Sequence, residues 1–177
     1  MLLRPRLATR NDLPALGLLM DRAIRQLQWD YLDRAQVEAS RAIMGIDQQL
    51  VDDGTYWLVE DHDRIVGCGG WSRRATLFGG DHSLDQREPR LLDSAHEPAR
   101  IRAMYTDPDY ARRGVGRLVV ATCEQAARAA GFTSTVLMAT LSGEPLYRAC
   151  GYQISAELVE EVGGVGIPLV EMRKTLG

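Results

Sequence analysis

Asp107-Pro108-Asp109-Tyr110-Ala111-Arg112-Arg113-Gly114-Val115-Gly116-Arg117 joins a run of β-formers, Ile101–Thr106, to a stretch of helical periodicity, Val115–Ala130. That helix carries Leu118, Val119, Ala121, Thr122, Ala126 and Ala129 on one side and closes at Gly131. The first backbone N–H groups of a helix have no partner inside it and sit at the positive end of its dipole. A strand that turns into a helix through glycines therefore offers an anion a cradle of amides. Gly114 and Gly116 bring no Cβ between backbone and ligand, and Arg112, Arg113 and Arg117 add attraction at longer range. The glycines alone equally suit a tight helix cap with no ligand.

Two better-known phosphate loops do not fit. A dinucleotide fingerprint requires a third glycine where Val119 stands. A Walker loop requires Gly-Lys-Ser/Thr, and the only lysine, Lys174, follows Arg173.

Working outward, the flanks alternate strands and helices. Leu2–Leu7 is a first strand, and Thr9 with Asp12 caps a helix carrying Leu13, Leu16, Leu19, Met20, Ala23, Ile24 and Leu27. Asp33 and Gln36 open a second helix that runs to Gly45. Thr55–Asp61 and Ile65–Ser72 form a hairpin around His62-Asp63-Arg64. A polar stretch from about Arg73 to Glu97 is a long loop with room for one short helical turn, and loops of that length are usually functional or disordered. Beyond the central helix come a continuous apolar strand, Thr133–Leu141, and a short helix, Glu144–Cys150. Tyr152–Val159 and Ile167–Thr175 close the chain as a hairpin around Gly163-Gly164-Val165-Gly166. No repeat or linker divides residues 1–177, so a single mixed α/β domain is expected.

Composition excludes several classes. The net charge of −3 gives no reason to expect nucleic acid or a membrane surface as partner. No apolar run approaches the roughly 20 residues of a membrane span, and the start lacks a secretory signal, so a cytoplasmic location is expected. Cys68, Cys123 and Cys150 are too scattered for a disulfide framework, and His62, His82 and His96 for a metal site. The basic residues other than Lys174 are all arginine, which points to coding bias and weakens any one arginine as evidence of phosphate binding.

With these residues on the page, the chain resembles the GNAT superfamily of amine N-acetyltransferases. Met104-Tyr105-Thr106-Asp107-Pro108 resembles that family's strand exit, and Ala111-Arg112-Arg113-Gly114-Val115-Gly116 its loop. Leu146-Tyr147-Arg148-Ala149-Cys150-Gly151-Tyr152 resembles its second motif. Ala111 replaces the usual Gln or Arg, Thr140 and Gly143 replace a frequent Asn and Ala, and Arg100 and Arg102 occupy a strand that often carries a Glu. The resemblance covers nearly the whole chain. It implies an α/β fold with a central mixed sheet of six to seven strands flanked by about four helices.

It also implies a reaction. Acetyl-CoA would lie where Ile101–Thr106 and Thr133–Leu141 splay apart, its pantetheine along Met104, Tyr105 and Thr106. Its pyrophosphate would rest on Arg112, Arg113, Gly114, Val115, Gly116 and Arg117. A small-molecule amine, in preference to a protein amino group, would attack the thioester directly in a ternary complex. Backbone N–H around Met104–Tyr105 would hold the oxyanion, and Tyr147 would protonate the leaving thiolate. From the residues alone, Tyr147 is a buried helix tyrosine. Candidate bases are Glu60, Asp81, Asp85 and Glu88, each equally a surface charge. Trp29, Tyr31, Trp71, Arg73, Arg74 and Phe78–His82 are acceptor-pocket candidates, with core aromatics and solvated arginines as the alternative. The competing function is a non-catalytic acyl-CoA sensor. A homodimer is the oligomeric expectation, and no metal is expected.

Overall fold

A computed structural model describes residues 1–83 and 87–177. Strand β1 (Leu3–Leu7) leads through a 3-10 turn to helix α1 (Leu13–Leu27), then α2 (Arg34–Ser40) and α3 (Gln48–Asp52). The hairpin β2 (Tyr56–Asp61) and β3 (Arg64–Ser72) follows, then β4 (Ala99–Thr106), α4 (Val115–Ala129), β5 (Ser134–Thr140), α5 (Glu144–Ala149), β6 (Gln153–Val162) and β7 (Val165–Thr175). The strands form one seven-stranded sheet in the order β1-β2-β3-β4-β5-β7-β6. Every neighbouring pair is antiparallel except β4 and β5, which α4 connects as a crossover.

The two periodic helices cover opposite faces. Leu16, Leu19, Met20, Ala23 and Ile24 of α1 pack with Leu50, Tyr56, Leu58, Cys68 and Tyr105. Val115, Val119, Val120, Cys123 and Ala127 of α4 pack with Val59, Val66, Trp71, Ile101 and Leu137. Helix α4 reaches the sheet over glycines. A Cβ on Gly67 would meet Val115 Cγ1 at 2.3 Å, and one on Gly69 would meet Met104 Sδ at 2.1 Å and Val119 Cγ1 at 2.6 Å. These bare patches of β3 let the first turn of α4 settle against the sheet, which fixes the preceding loop. Gly69→Ala should accordingly lower the unfolding free energy by about 2 kcal/mol, the cost of overpacking a filled core. Urea unfolding checks this.

The capping boxes at Thr9/Asp12 and Asp33/Gln36 both form. The second helix, however, stops at Ser40 instead of running to Gly45, and continues only as isolated turns at Arg41–Ile43. Helix α3, which begins after Asp47 without a side-chain capping bond, is not among the expected elements. The long stretch after β3 is more ordered than a loop. Ala75 N–H bonds Arg90 O, Thr76 N–H bonds Glu88 O, and Leu92 N–H bonds Arg73 O, which folds its two ends together as a ribbon. Among the described residues, no helix is long and apolar enough to cross a membrane.

Candidate active site

The site begins with a break in the middle of the sheet. The β4–β5 ladder runs only from Ala99↔Thr135 to Ile101↔Leu137; beyond it β5 pairs with β7 alone, through Met138↔Glu171, Ala139↔Val170 and Thr140↔Leu169. The cause lies in β4. Ala103 has φ +51°, uncommon for a residue with a Cβ, and the register against β3 slips between Cys68↔Tyr105 and Gly70↔Arg102. The Tyr56 hydroxyl donates to the Ala103 carbonyl at 2.8 Å and holds the bulge. Residues 102–106 are thereby left without a partner strand on the β5 side, and Ala103 and Met104 have no register partner on β3 either.

A narrow cleft of about 90 Å³ occupies this opening. Arg102, Ala103, Met104 and Tyr105 of β4 form its floor, with Met138 and Thr140 of β5 and Tyr147 of α5 on one side. Ile43, Met44, Gly45 and the Leu77–Gly80 segment form the opposite wall. That wall is tied down. Asp81 N–H bonds Ile46 O at 2.8 Å, and the Asp81 carboxylate accepts from Gln48 N–H and from Arg87.

The loop before α4 meets the requirements of an anion cradle. Arg112 and Gly114 have φ +62° and +87°, so the chain folds back twice before the helix starts. Among the described residues, the N–H groups of Gly114, Val115, Gly116 and Arg117 have no hydrogen-bond acceptor. A Cβ on Gly114 would meet nothing within 4 Å, so the space over the loop is open. Gly116 serves a different purpose: its Cβ would come within 2.7 Å of Leu146 Cδ2, so it seats α4 against α5. Arg112, Arg113 and Arg117 are exposed and form no ion pair among the described residues, although Arg113 stacks on the Tyr110 ring at 5.5 Å. This free edge, these amides and these unpaired cations match the amide-rich pantetheine and the pyrophosphate of a coenzyme A thioester.

Tyr147 is buried and lines the cleft, with its ring edge-on to Tyr152 at 5.9 Å. Its hydroxyl makes no hydrogen bond among the described residues. Burial, with neighbouring Tyr105, raises its pKa well above 10, so it remains a proton donor through the physiological range. Tyr105 is also held protonated by burial, and its oxygen accepts the Gly45 N–H at 2.8 Å. Tyr105 is register-paired with Cys68 of β3, whereas Met104 has no register partner, which leaves the Met104 amide as the unassigned donor of that pair among the described residues.

Several expected contributors lie elsewhere. Glu60 pairs with Arg6, and Glu88 with Arg90. Asp81 braces the wall from behind, while Asp85 lies outside the described residues. Trp71 is core, packed edge-on against Phe132. Arg73 stacks on the Trp71 ring, and Arg74 is engaged by Asp53 at 2.7 Å. Trp29 and Tyr31 are exposed, and Trp29 borders a separate shallow groove with Arg25, Arg34 and Arg41. His82 bonds Arg41 O. Of the expected acceptor residues, only Phe78, Gly79 and Gly80 reach the cleft. Sequence reasoning missed Met44, Met138 and above all Arg102, which it noted only as a departure from a glutamate. Among the described residues there is no carboxylate or histidine on the cleft wall and no cluster able to hold a metal.

Known proteins agree with this geometry. The sequence model described as Acetyltransferase (GNAT) family matches residues 21–152. The GCN5-related N-acetyltransferase of Rhodopseudomonas palustris is similar in structure, with a TM-score of 0.69 at 21% identity over 99% of this chain and 95% of that one. The ribosomal-protein-alanine N-acetyltransferase of Brucella melitensis has a TM-score of 0.66 at 18% identity, covering 98% and 99% of the two chains. The PaiA N-acetyltransferase of Thermoplasma acidophilum, solved in complex with coenzyme A, also has a TM-score of 0.66, at 12% identity and 99% coverage of both. No curated protein matches the sequence. The family match spans most of the chain, including both the cradle before α4 and the tyrosine of α5: this protein belongs to the GNAT acetyltransferase family and is an acyltransferase whose co-substrate is acetyl-CoA.

Proposed function

We propose that residues 1–177 act as one domain that acetylates the amine of a small molecule by direct attack on the acetyl-CoA thioester. The observation that carries this reading is the cleft itself. Its space of about 90 Å³ is several times the roughly 10–15 Å³ that holds one water on this measure, enough for the reacting head of an acceptor. It lies between the free edge of β4 and Tyr147.

The division of labour follows from the residues. Residues 102–106 would hold the pantetheine amides as an added strand would, and the four free amides from Gly114 to Arg117 would hold the pyrophosphate. When bound, acetyl-CoA supplies an activated acyl carbon. The Met104 N–H would carry the charge that develops on the carbonyl oxygen. As the new C–N bond forms and the C–S bond breaks, Tyr147 would give its proton to the thiolate and regain one from solvent. The amine's own proton leaves to water, because no carboxylate or histidine on the described cleft wall stands ready to take it.

This has a pH consequence. The kcat/KM should rise with pH along the titration of the acceptor's own amine. Two acceptors whose amine pKa values differ by about 2 units, an α-amino group against a lysine-type amine, should give inflections displaced by the same amount. Because Tyr147 stays protonated, no fall should appear below about pH 10. An inflection that stays fixed for every acceptor would instead identify a base on the protein.

The acceptor class is tested by incubating protein and acetyl-CoA with pooled small amines, amino acids and peptides, and detecting acetylated products by mass. Acetylation of small amines ahead of peptides is expected. Turnover of peptides alone would overturn the small-molecule reading.

A further inference from the structure

Arg102 projects from the bulged part of β4 and is the one charged side chain among the described residues on the cleft wall. It is 5% exposed. A guanidinium in such a place should have its donors filled. They are not. One nitrogen, Nη2, donates to the Gly79 carbonyl at 2.7 Å and lies 2.6 Å from Asp47 Oδ2. That ion pair lacks hydrogen-bond alignment, so Asp47 Oδ2 and Arg102 Nε are both buried without a hydrogen-bond partner. Arg102 Nη1 also has no acceptor among the described residues. Burial pulls the guanidinium pKa down from its usual value, the mark of a cation short of compensation.

The remaining cleft lining supplies nothing to complete it. Ile43, Met44, Phe78, Met138 and Leu169 are apolar, the Tyr105 hydroxyl is engaged by Gly45 N–H, the Thr140 hydroxyl is engaged by Ser142 and Gly143 N–H, and Tyr147 belongs to the reacting end described above. Asp47, which faces Arg102 from outside the cleft, is shared with Arg87 through its other oxygen at 3.1 Å. Nε is shut in and Nη2 is occupied, so the donor open to the cleft is Nη1, and the group that fits it is an anion able to accept one charge-assisted hydrogen bond, such as a carboxylate oxygen. Arg102 and Met104 flank the bulged Ala103 on β4, so their backbones lie no more than about 7 Å apart, the extended limit for two residues. A molecule anchored at Arg102 could thus present an amine to the carbonyl held at Met104 only if the two groups are joined by a short spacer.

We propose that Arg102 is a specificity-determining residue, and that the acceptors of this enzyme are small amino acids or similar zwitterions whose carboxylate it holds while their amine faces the thioester. This rests on the acetyl transfer to a small amine argued above.

The test compares matched acceptors, each an amino acid and its primary amide, in wild type, Arg102→Met and Arg102→Lys. In wild type the free carboxylate should raise kcat/KM by about 10- to 100-fold over the amide, the scale of a hydrogen bond to a charged group. In Arg102→Met that advantage should vanish through KM, so that acid and amide are used about equally, whatever common change both substrates share. Arg102→Lys should keep part of it. Equal use of acid and amide by wild type overturns the proposal, and needs no variant to fold. So does an Arg102→Met protein that loses both substrates equally along with acetyl-CoA affinity, since that pattern marks a brace for the Gly79 wall. Turnover of neither member of any pair, with peptides acetylated instead, would remove the small-amine reading and this proposal with it.

Discussion

Gly114→Glu is expected to abolish measurable acetyl-CoA binding while leaving the protein folded. Two effects act at this position and can be separated. Gly114 has φ +87°, so any side chain there costs about 1–2 kcal/mol of backbone strain. A Cβ would meet nothing within 4 Å, so there is no clash to add. Gly114→Ala therefore measures the strain alone, and should weaken binding no more than about 30-fold. The glutamate also places a negative charge over the free amides of Gly114 to Arg117. Two unit charges about 4 Å apart near a protein surface repel by about 4 kcal/mol, roughly a thousandfold in affinity. Calorimetry on both variants, with melting temperature as a folding check, gives the two terms. Unchanged affinity in Gly114→Glu would remove the loop from the cofactor site.

Tyr147→Phe should have the opposite signature: intact binding and lost chemistry. General acid catalysis is worth about 10²–10⁴-fold, so kcat should fall at least 100-fold while the acetyl-CoA Kd holds within about 2-fold. Stability provides a second reading. A tyrosine kept for structure loses stability when its hydroxyl goes, because that hydroxyl was bonded. The Tyr147 side chain is largely buried and its hydroxyl makes no hydrogen bond among the described residues. Removing it should leave the melting temperature unchanged or raise it. Full activity in Tyr147→Phe would show that another group protonates the thiolate.

The features these two predictions use were legible in the sequence because each is local. Glycines at a strand-to-helix turn, a helical period from Val115 and a tyrosine one helix later need no knowledge of distant residues. The strands were legible for the same reason, through alternation and turn residues. Helix α3 was not, because five residues are too short to show a period. The acceptor wall was not legible either. Trp71 and Trp29 have the same local character, yet one is core against Phe132 and the other is exposed beside α2. Arg74 and Arg102 differ only in their distant partners, Asp53 and Asp47. The decisive bulge at Ala103 carries no glycine to betray its positive φ; the hydroxyl of Tyr56, far away in sequence, holds it in place.

Direct transfer, as proposed for this cleft, also constrains what the protein itself can carry. Cys68 and Cys123 are buried in the core with thiol pKa values raised by burial, Cys68 to about 12, and none of the three cysteines lines the cleft. The most direct test follows an isotope-labelled acetyl group from acetyl-CoA by mass spectrometry, weighing the protein and the small molecules at each time point. The label should pass to the amine, appear there in step with free coenzyme A, and leave the protein mass unchanged. A transient protein one acetyl group heavier, formed before the acceptor is added and discharged by it, would contradict direct attack in a ternary complex.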